Sequence, residues 1–385
     1  MTCWNKPAPC NVVIVDSVAC ECLNDQSDLV SERYMKNTLM QCTLGLFATS
    51  AAMAEFQFDE DGLRGDFGEV QVTGRFSASA QTADIEPLAT NGDTSGNAVD
   101  GTAAFDVEYT TNNAIVLGLA GEFDSRFDDI EDFERDEIYV YIASDWGRVE
   151  LGENDGPGDT LSFHAPRVGL GQVRGDFGRY DGTVALLSAY DSRDAAKITY
   201  LSAPLGDFRW GISYAPNFDI NRRDPDPERR LLQNDVIEIA GQFNTIVDGT
   251  TFGASLAYVT GEATGEAGRE DIESIGIGIE VGRGPITIGA AFVDRGRSNL
   301  LPTSADRSEW NGGISWRDDD WSVAASFARS NEGDRDIMRY GIGGVYEFRR
   351  IYYATLDLVF YSEDNVAAVD RDARIAILEL GVRFR

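Results

Sequence analysis

The chain has 385 residues, with 33 basic against 65 acidic side chains, one histidine (His164) and a formal charge of −32. Such an acidic chain is excluded from binding nucleic acid by neutralising phosphates and releasing counterions, and a lone histidine excludes a histidine-rich zinc centre. Ten per cent aromatic residues exclude a disordered chain, and divalent cations or cation-rich surfaces are the partners that this charge attracts.

All five cysteines (Cys3, Cys10, Cys20, Cys22, Cys42) lie in the first 42 residues. Cys20 and Cys22 lack the further ligands of a metal site. Residues 1–34 carry no recognisable role and read as an upstream extension outside the mature protein. Met35-Lys36-Asn37, the apolar run Leu39 to Ala48 and Ala52-Met53-Ala54 make a basic start, a short apolar centre and an A-x-A end. Residues 35–54 therefore read as a secretory signal peptide. Cleavage after Ala54 removes three of the 33 basic and five of the 65 acidic side chains, leaving a charge of −30 and no cysteine. Residues 55–67 read as an N-terminal tail, and residues 68–385 as one domain without a Pro/Gly/Ser linker. No run approaches the roughly 20 apolar residues of a spanning helix.

From Glu69 onward, short segments alternate apolar and polar residues, as a strand with two different faces requires. The first sets Val70, Val72, Gly74, Phe76 and Ala78 against Gln71, Thr73, Arg75 and Ser77. The next carry Ala103 to Tyr109, Ile115 to Phe123, Ile138 to Ile142, Trp146 to Leu151, Ile198 to Tyr200 and Phe208 to Tyr214. The second half continues with Ile237 to Phe243, Phe252 to Tyr258, Ile275 to Val281, Ile286 to Phe292, Trp310 to Trp316 and Trp321 to Phe327. Met338 to Phe348, Tyr352 to Phe360 and Leu378 to Phe384 complete sixteen segments. Short connectors such as Val247-Asp248-Gly249 and Asp318-Asp319-Asp320 alternate with long acidic ones such as Gln81 to Asp100 and Pro216 to Asp235. One rim of tight turns, one rim of long loops and many outward sets ending in Trp, Tyr or Phe predict an all-β fold: a transmembrane antiparallel β-barrel of sixteen strands. A large soluble β-sandwich or solenoid is the competing architecture.

The longest connector, residues 153–194, is predicted to fold into the lumen as a constriction loop, because long loops in compact proteins carry function. It offers Glu153, Asp155, Asp159 and Asp176, together with Arg167, Arg174 and Arg179. Inward strand positions offer Arg75, Arg148, Lys197, Arg209, Arg339 and Arg383. Carboxylates on the loop facing cations on the wall would create a transverse field, and rings of charge set ion preference. Other chemistry is poorly supported. Gly276-x-Gly278 and Gly341-x-Gly343-Gly344 lie within strands and lack the helix of a phosphate loop. Asp224-Pro-Asp226-Pro-Glu228 lacks the turn glycine of an EF-hand. Calcium bridging by the outer loops, or between them and lipopolysaccharide phosphates, stays open.

Gly68-Glu-Val-Gln-Val-Thr-Gly-Arg75, Trp146-Gly-Arg-Val-Glu-Leu-Gly-Glu153 and Leu380-Gly-Val-Arg-Phe384 give the chain a resemblance to Gram-negative general porins, in particular the acidic Rhodobacter-type porins. The resemblance implies an outer-membrane homotrimer of sixteen-stranded barrels, each with its third loop in the pore. It also implies Glu153, Asp155 and Asp159 as loop-side eyelet residues and leaves room for structural calcium near that loop, with no cofactor otherwise expected. The chain departs from the family's aromatic terminus by ending Phe384-Arg385. The expected function is passive diffusion of small hydrophilic solutes and ions with a mild cation preference, no catalysis, and contact with lipopolysaccharide and outer-membrane lipid. The alternatives are a channel specific for a sugar or organic acid, an outer-membrane hydrolase built on His164, and a soluble β-rich binding protein.

Overall fold

The run Ser274-Ile275-Gly276-Ile277-Gly278-Ile279-Glu280-Val281 puts a β-branched residue at every second position and a small or polar one between, so it can only bury or expose its two faces separately. It forms the middle of a strand, and its neighbours obey the same rule. The computed structural model describes residues 56–59, 62–66, 69–87, 95–126, 133–171, 192–219, 232–264, 268–331, 333, 335–365 and 371–384. The first strands are β1 (Phe56–Asp59), β2 (Gly62–Asp66), β3 (Val70–Pro87), β4 (Ser95–Thr110), β5 (Val116–Arg126), β6 (Phe133–Ser144), β7 (Gly147–Glu153), β8 (Ala196–Ser202) and β9 (Phe208–Asp219). They continue as β10 (Leu232–Val247), β11 (Thr250–Thr264), β12 (Ile272–Arg283), β13 (Ile286–Gly296), β14 (Arg307–Arg317) and β15 (Trp321–Asn331). The last three are β16 (Arg335–Phe348), β17 (Tyr352–Asn365) and β18 (Arg371–Phe384). Among the described residues the one helical turn is α1 (Pro157–Thr160).

Each strand from β3 to β18 pairs antiparallel with the next, and β18 returns to β3 in a register running from Ala373 opposite Pro87 to Phe384 opposite Phe76. The sheet is thus a closed sixteen-stranded barrel, and each alternating segment of the sequence maps onto one of its strands, with Ile115 and Trp146 one residue ahead of β5 and β7. Closure leaves no free edge among these strands, which is what permits a sheet to stand in lipid.

Two expectations change. Residues 55–67, expected as a tail, contain the β1–β2 hairpin, and β2 pairs with β3 from Leu63 opposite Gly74 to Asp66 opposite Gln71. This is the same edge of β3 that β18 uses higher up, so the hairpin pairs the stretch that β18 leaves open. The long connectors are also shorter than the alternation suggested. β3 runs to Pro87 and β4 starts at Ser95, within the expected loop from Gln81 to Asp100. Beyond an apolar band both faces of a strand meet water, so pairing continues where the alternation has stopped.

The apolar face is exposed, as at Leu151 (59 %), Leu356 (57 %) and Ile279 (55 %). Aromatic rings meet toward the rim of short turns, with Trp321 tilted against Tyr346 at 4.6 Å and Phe348 stacked on Tyr352 at 5.2 Å. At that rim the β10–β11 turn takes positive φ at Asp248 (49°) and Gly249 (72°), the twist that a two-residue hairpin turn requires. Buried apolar side chains gather instead on the polar face, in two small groups. Leu161, Ala195, Ala215, Val236, Ala240, Ala257, Val259 and Ile272 form one. Val359, Ile375 and Ile377 form the other, with Leu170 packed against them.

Candidate functional site

Residues 154–171 leave β7 and follow the polar face of the wall. Gly158 N–H donates to Glu238 Oε2 of β10 (3.3 Å), Phe163 N–H to Ser255 Oγ of β11 (2.8 Å), Ala165 N–H to Asn311 Oδ1 of β14 (2.8 Å) and Leu170 N–H to Asp357 Oδ2 of β17 (3.0 Å). Carbonyls fall where the wall has no side chain. A Cβ on Gly278 would stand 2.0 Å from the Phe163 oxygen, one on Gly289 2.2 Å from the His164 oxygen, and one on Gly341 2.3 Å from the Gly171 oxygen. Polar wall residues therefore meet the segment's N–H groups, and wall glycines make room for its C=O groups. Leu161 and Leu170 sit in the two apolar groups at either end.

The return of the loop is held at the same point. Ser192 donates through N–H (2.9 Å) and Oγ (2.5 Å) to Glu238 Oε1. Lys197 Nζ donates to the Arg193 carbonyl and lies 3.9 Å from Glu238 Oε1, with both side chains shielded from solvent. Glu238 is fully buried, and a buried charge of this kind is tolerated only when it is paired and hydrogen-bonded.

Three of the expected wall cations share one arrangement. The Arg148 guanidinium lies 3.6 Å from the Tyr141 ring centre, Arg383 4.8 Å from Tyr353, and Arg339 5.8 Å from Tyr361. Each tyrosine hydroxyl bonds a glutamate: Tyr141 to Glu108 (2.6 Å), Tyr353 to Glu379 (2.8 Å) and Tyr361 to Glu363 (2.5 Å). The ring faces attract the cations, and the carboxylates keep the phenols oriented. Arg148 also pairs with Glu150 at 2.6 Å. Arg75 is exposed on the polar face opposite Ala104, and Arg209 is exposed opposite Gln242.

The loop carboxylates are placed differently from one another. Asp155 is exposed and its N–H donates to Glu137 Oε1 (3.2 Å), while Asp159 lies in α1. Glu153 closes β7 opposite Ile138, in the register of the apolar face, and pairs with Arg135 at 2.6 Å. Asp176, Arg174 and Arg179 lie outside the described residues, as do the signal peptide and Asp224 to Glu228. Among the described residues, two carboxylate clusters have ligand atoms close enough to share a cation, each within 4.8 Å: Glu122, Asp124 and Asp136, and Glu137, Asp155 and Asp194. Burial pushes the Asp194 carboxyl above its ordinary range, and Lys197 only partly offsets this. A cavity of about 420 Å³ lies between Arg167–Leu170 and the β14–β18 wall, with Arg317, Arg383, Glu347 and Glu379 among its lining.

Sequence reasoning missed Glu238, Asp357 and the three tyrosines. Both carboxylates stand at ordinary inward positions, Glu238 between Ile237 and Ile239 and Asp357 between Leu356 and Leu358. Nothing in the alternation separates them from an exposed inward charge such as Arg209.

The family model for Gram-negative porins matches residues 42–365. The chain belongs to that family. This porin also has the fold of solved porins. The anion-selective porin from Comamonas acidovorans has a TM-score of 0.60 at 13 % identity, covering 82 % of this chain and 100 % of that one. OmpF of Salmonella typhi, in a complex with daunomycin, gives 0.58 at 13 %, covering 86 % and 100 %. A mutant of the Rh. blastica porin gives 0.51 at 15 %, covering 81 % and 100 %. No curated protein sequence matches the chain significantly. This porin is an outer-membrane channel for small solutes and ions, not an enzyme. The apolar face of its strands is exposed, and in such a barrel the polar face lines the interior.

Proposed function

We propose that this porin is a general diffusion pore whose cross-section is set by residues 154–171. The observation that carries the reading is the row of hydrogen bonds from that segment to the polar face of β10, β11, β14 and β17. Asp155 and Asp159 supply the loop-side charge, joined by Asp176, and Arg75, Arg148, Lys197, Arg209, Arg339 and Arg383 the wall-side charge. Glu153 instead braces the rim through Arg135. Arg148 and Lys197 are already neutralised by Glu150 and Glu238, which leaves exposed Arg75 and Arg209 as the stronger wall-side contributors.

The mature charge of −30 enriches cations at the mouths and gives a mild cation preference. The porin works as a homotrimer embedded among lipopolysaccharide and outer-membrane lipid, after signal cleavage at Ala54. Purified mature protein in a planar bilayer tests this. A cation-selective reversal potential in a salt gradient is expected, moving toward anions when Asp155 and Asp159 are changed to Asn. Anion selectivity of the unaltered protein would overturn the preference. The 420 Å³ cavity favours a second reading, a solute-specific channel. Saturable block by one sugar or organic acid would identify it.

A further inference from the structure

A second cavity adjoins the one beside Arg167–Leu170. It measures about 220 Å³, and Ser77, Ser79, Gln81, Asp100, Thr102 and Asp124 of β3, β4 and β5 line it. Leu170, Tyr353 and Glu379 line both cavities, so one solute can occupy the two together. Their charges are unlike. Arg167, Arg317 and Arg383 all line the larger cavity, and among the described residues no basic side chain lines the smaller one.

Neighbours orient the charged groups. Gln81 Nε2 donates to Asp100 Oδ2 (2.7 Å) and Thr102 Oγ1 to Asp124 Oδ1 (2.6 Å). A carboxylate accepts about four hydrogen bonds, enough for an ammonium donor besides. Arg383 lies over the Tyr353 ring, and Arg317 Nε donates to Ser322 Oγ (3.2 Å). Both contacts leave the planar fork of the guanidinium to face a carboxylate. Of the acids in the larger cavity, Asp318, Asp319 and Asp320 are exposed on the β14–β15 turn, where water and salt screen them. Glu379 and Glu347 are engaged by neighbours.

Register gives the span. Arg383 stands opposite Ser77, Ser77 opposite Thr102 and Thr102 opposite Asp124. Three strand steps put Arg383 and Asp124 roughly 14 Å apart along the wall. Both side chains reach into the lumen and close part of that gap. What is left suits a chain of two or three residues, about 7–10 Å long when extended.

We infer that the joined cavities are a binding subsite for short zwitterionic peptides, with the terminal ammonium held by Asp100 and Asp124 and the terminal carboxylate by Arg167, Arg317 and Arg383. The inference rests on the reading of the barrel as an open diffusion pore and gives that pore a preferred class of solute. A neutral sugar or a simple organic acid meets only half of this lining and leaves the other half without the partner that offsets its desolvation.

Open-channel recording of the mature porin in a planar bilayer tests the inference, in about 0.1 M salt, where charges act over about 10 Å. Trialanine should block the current saturably. N-acetyl-trialanine lacks the ammonium and trialanine amide lacks the carboxylate. Each should block roughly tenfold more weakly, the loss of one charge-assisted contact, and so should the neutral trisaccharide raffinose. Asp100→Asn with Asp124→Asn should weaken the trialanine block by a similar factor without weakening that of the acetylated peptide. Arg317→Gln with Arg383→Gln should do the same without weakening that of the amide. Equal block by either capped peptide, equal block by raffinose, or a trialanine effect that never saturates would each overturn the inference and leave the pore standing. A bilayer that never conducts would overturn the pore itself.

Discussion

Lys197 Nζ and Glu238 Oε1 stand 3.9 Å apart beneath the root of the long loop, both out of contact with solvent. Glu238 also takes the Ser192 and Gly158 donors, so the pair ties β8, β10 and both ends of the loop together. Removing one partner of a buried pair leaves an uncompensated charge and costs about 3–5 kcal/mol. Lys197→Met should lower the unfolding free energy of the refolded barrel in urea by that order. Adding Glu238→Gln should recover part of the loss. Strict additivity of the two changes would show that the groups do not interact.

Gly118 is the floor under Tyr141. A Cβ there would lie 1.9 Å from Tyr141 Cζ, so Gly118→Ala should push the ring away from the wall. The ring carries Arg148, and its hydroxyl reaches Asp106 (2.8 Å) and Glu108 (2.6 Å). Overpacking of this kind costs about 1–3 kcal/mol, and the displaced guanidinium should shift the reversal potential. Tyr141→Phe keeps the ring beneath Arg148 and should shift it less. Equal shifts in the two variants would place the effect in the hydroxyl alone.

Asp194 gives stability a pH dependence of known sign. Its carboxyl is raised by burial, with Asp159 adding to the rise and Lys197 and Arg193 opposing it. A carboxyl raised in the folded state favours folding while it is protonated. That contribution is complete below the ordinary aspartate range and is lost as pH rises through the folded value. Asp194→Asn should therefore flatten the fall in melting temperature between acidic and neutral pH. An unchanged pH profile would reject this origin for the dependence.

The β1–β2 hairpin pairs Gln71 to Gly74 of β3 below the end of β18. Deleting residues 56–66 leaves those backbone groups unmade at the seam, at about 0.5–1.5 kcal/mol for each lost hydrogen bond. The trimmed barrel should still conduct but unfold several degrees lower in detergent. A barrel that melts with the intact chain would show that the hairpin adds nothing to the seam.

All sixteen barrel strands were legible because alternation is a relation between residues i and i+2, and the two solvents of a membrane barrel impose it on each strand in turn. The same rule missed the hairpin, since Gly62-Leu63-Arg64-Gly65-Asp66 is too short to display a period. It also stopped short of the strand ends, where both faces are wet. Asp235-Val236-Ile237 and Leu358-Val359-Phe360 place apolar residues on both faces, and those breaks mark where Leu161 and Leu170 pack against the polar face. Glu153 looked like a pore carboxylate because the long connector starts at it, yet it is the last residue of β7 and its register sets it opposite Ile138. The amino-acid order alone determined the barrel, its two unlike rims and its acidic character, because these depend on near neighbours and on composition. Which wall residues hold the long loop was decided only in three dimensions. Leu170 and Asp357 are 187 positions apart, and no local pattern reports a hydrogen bond that exists only once the cylinder has closed.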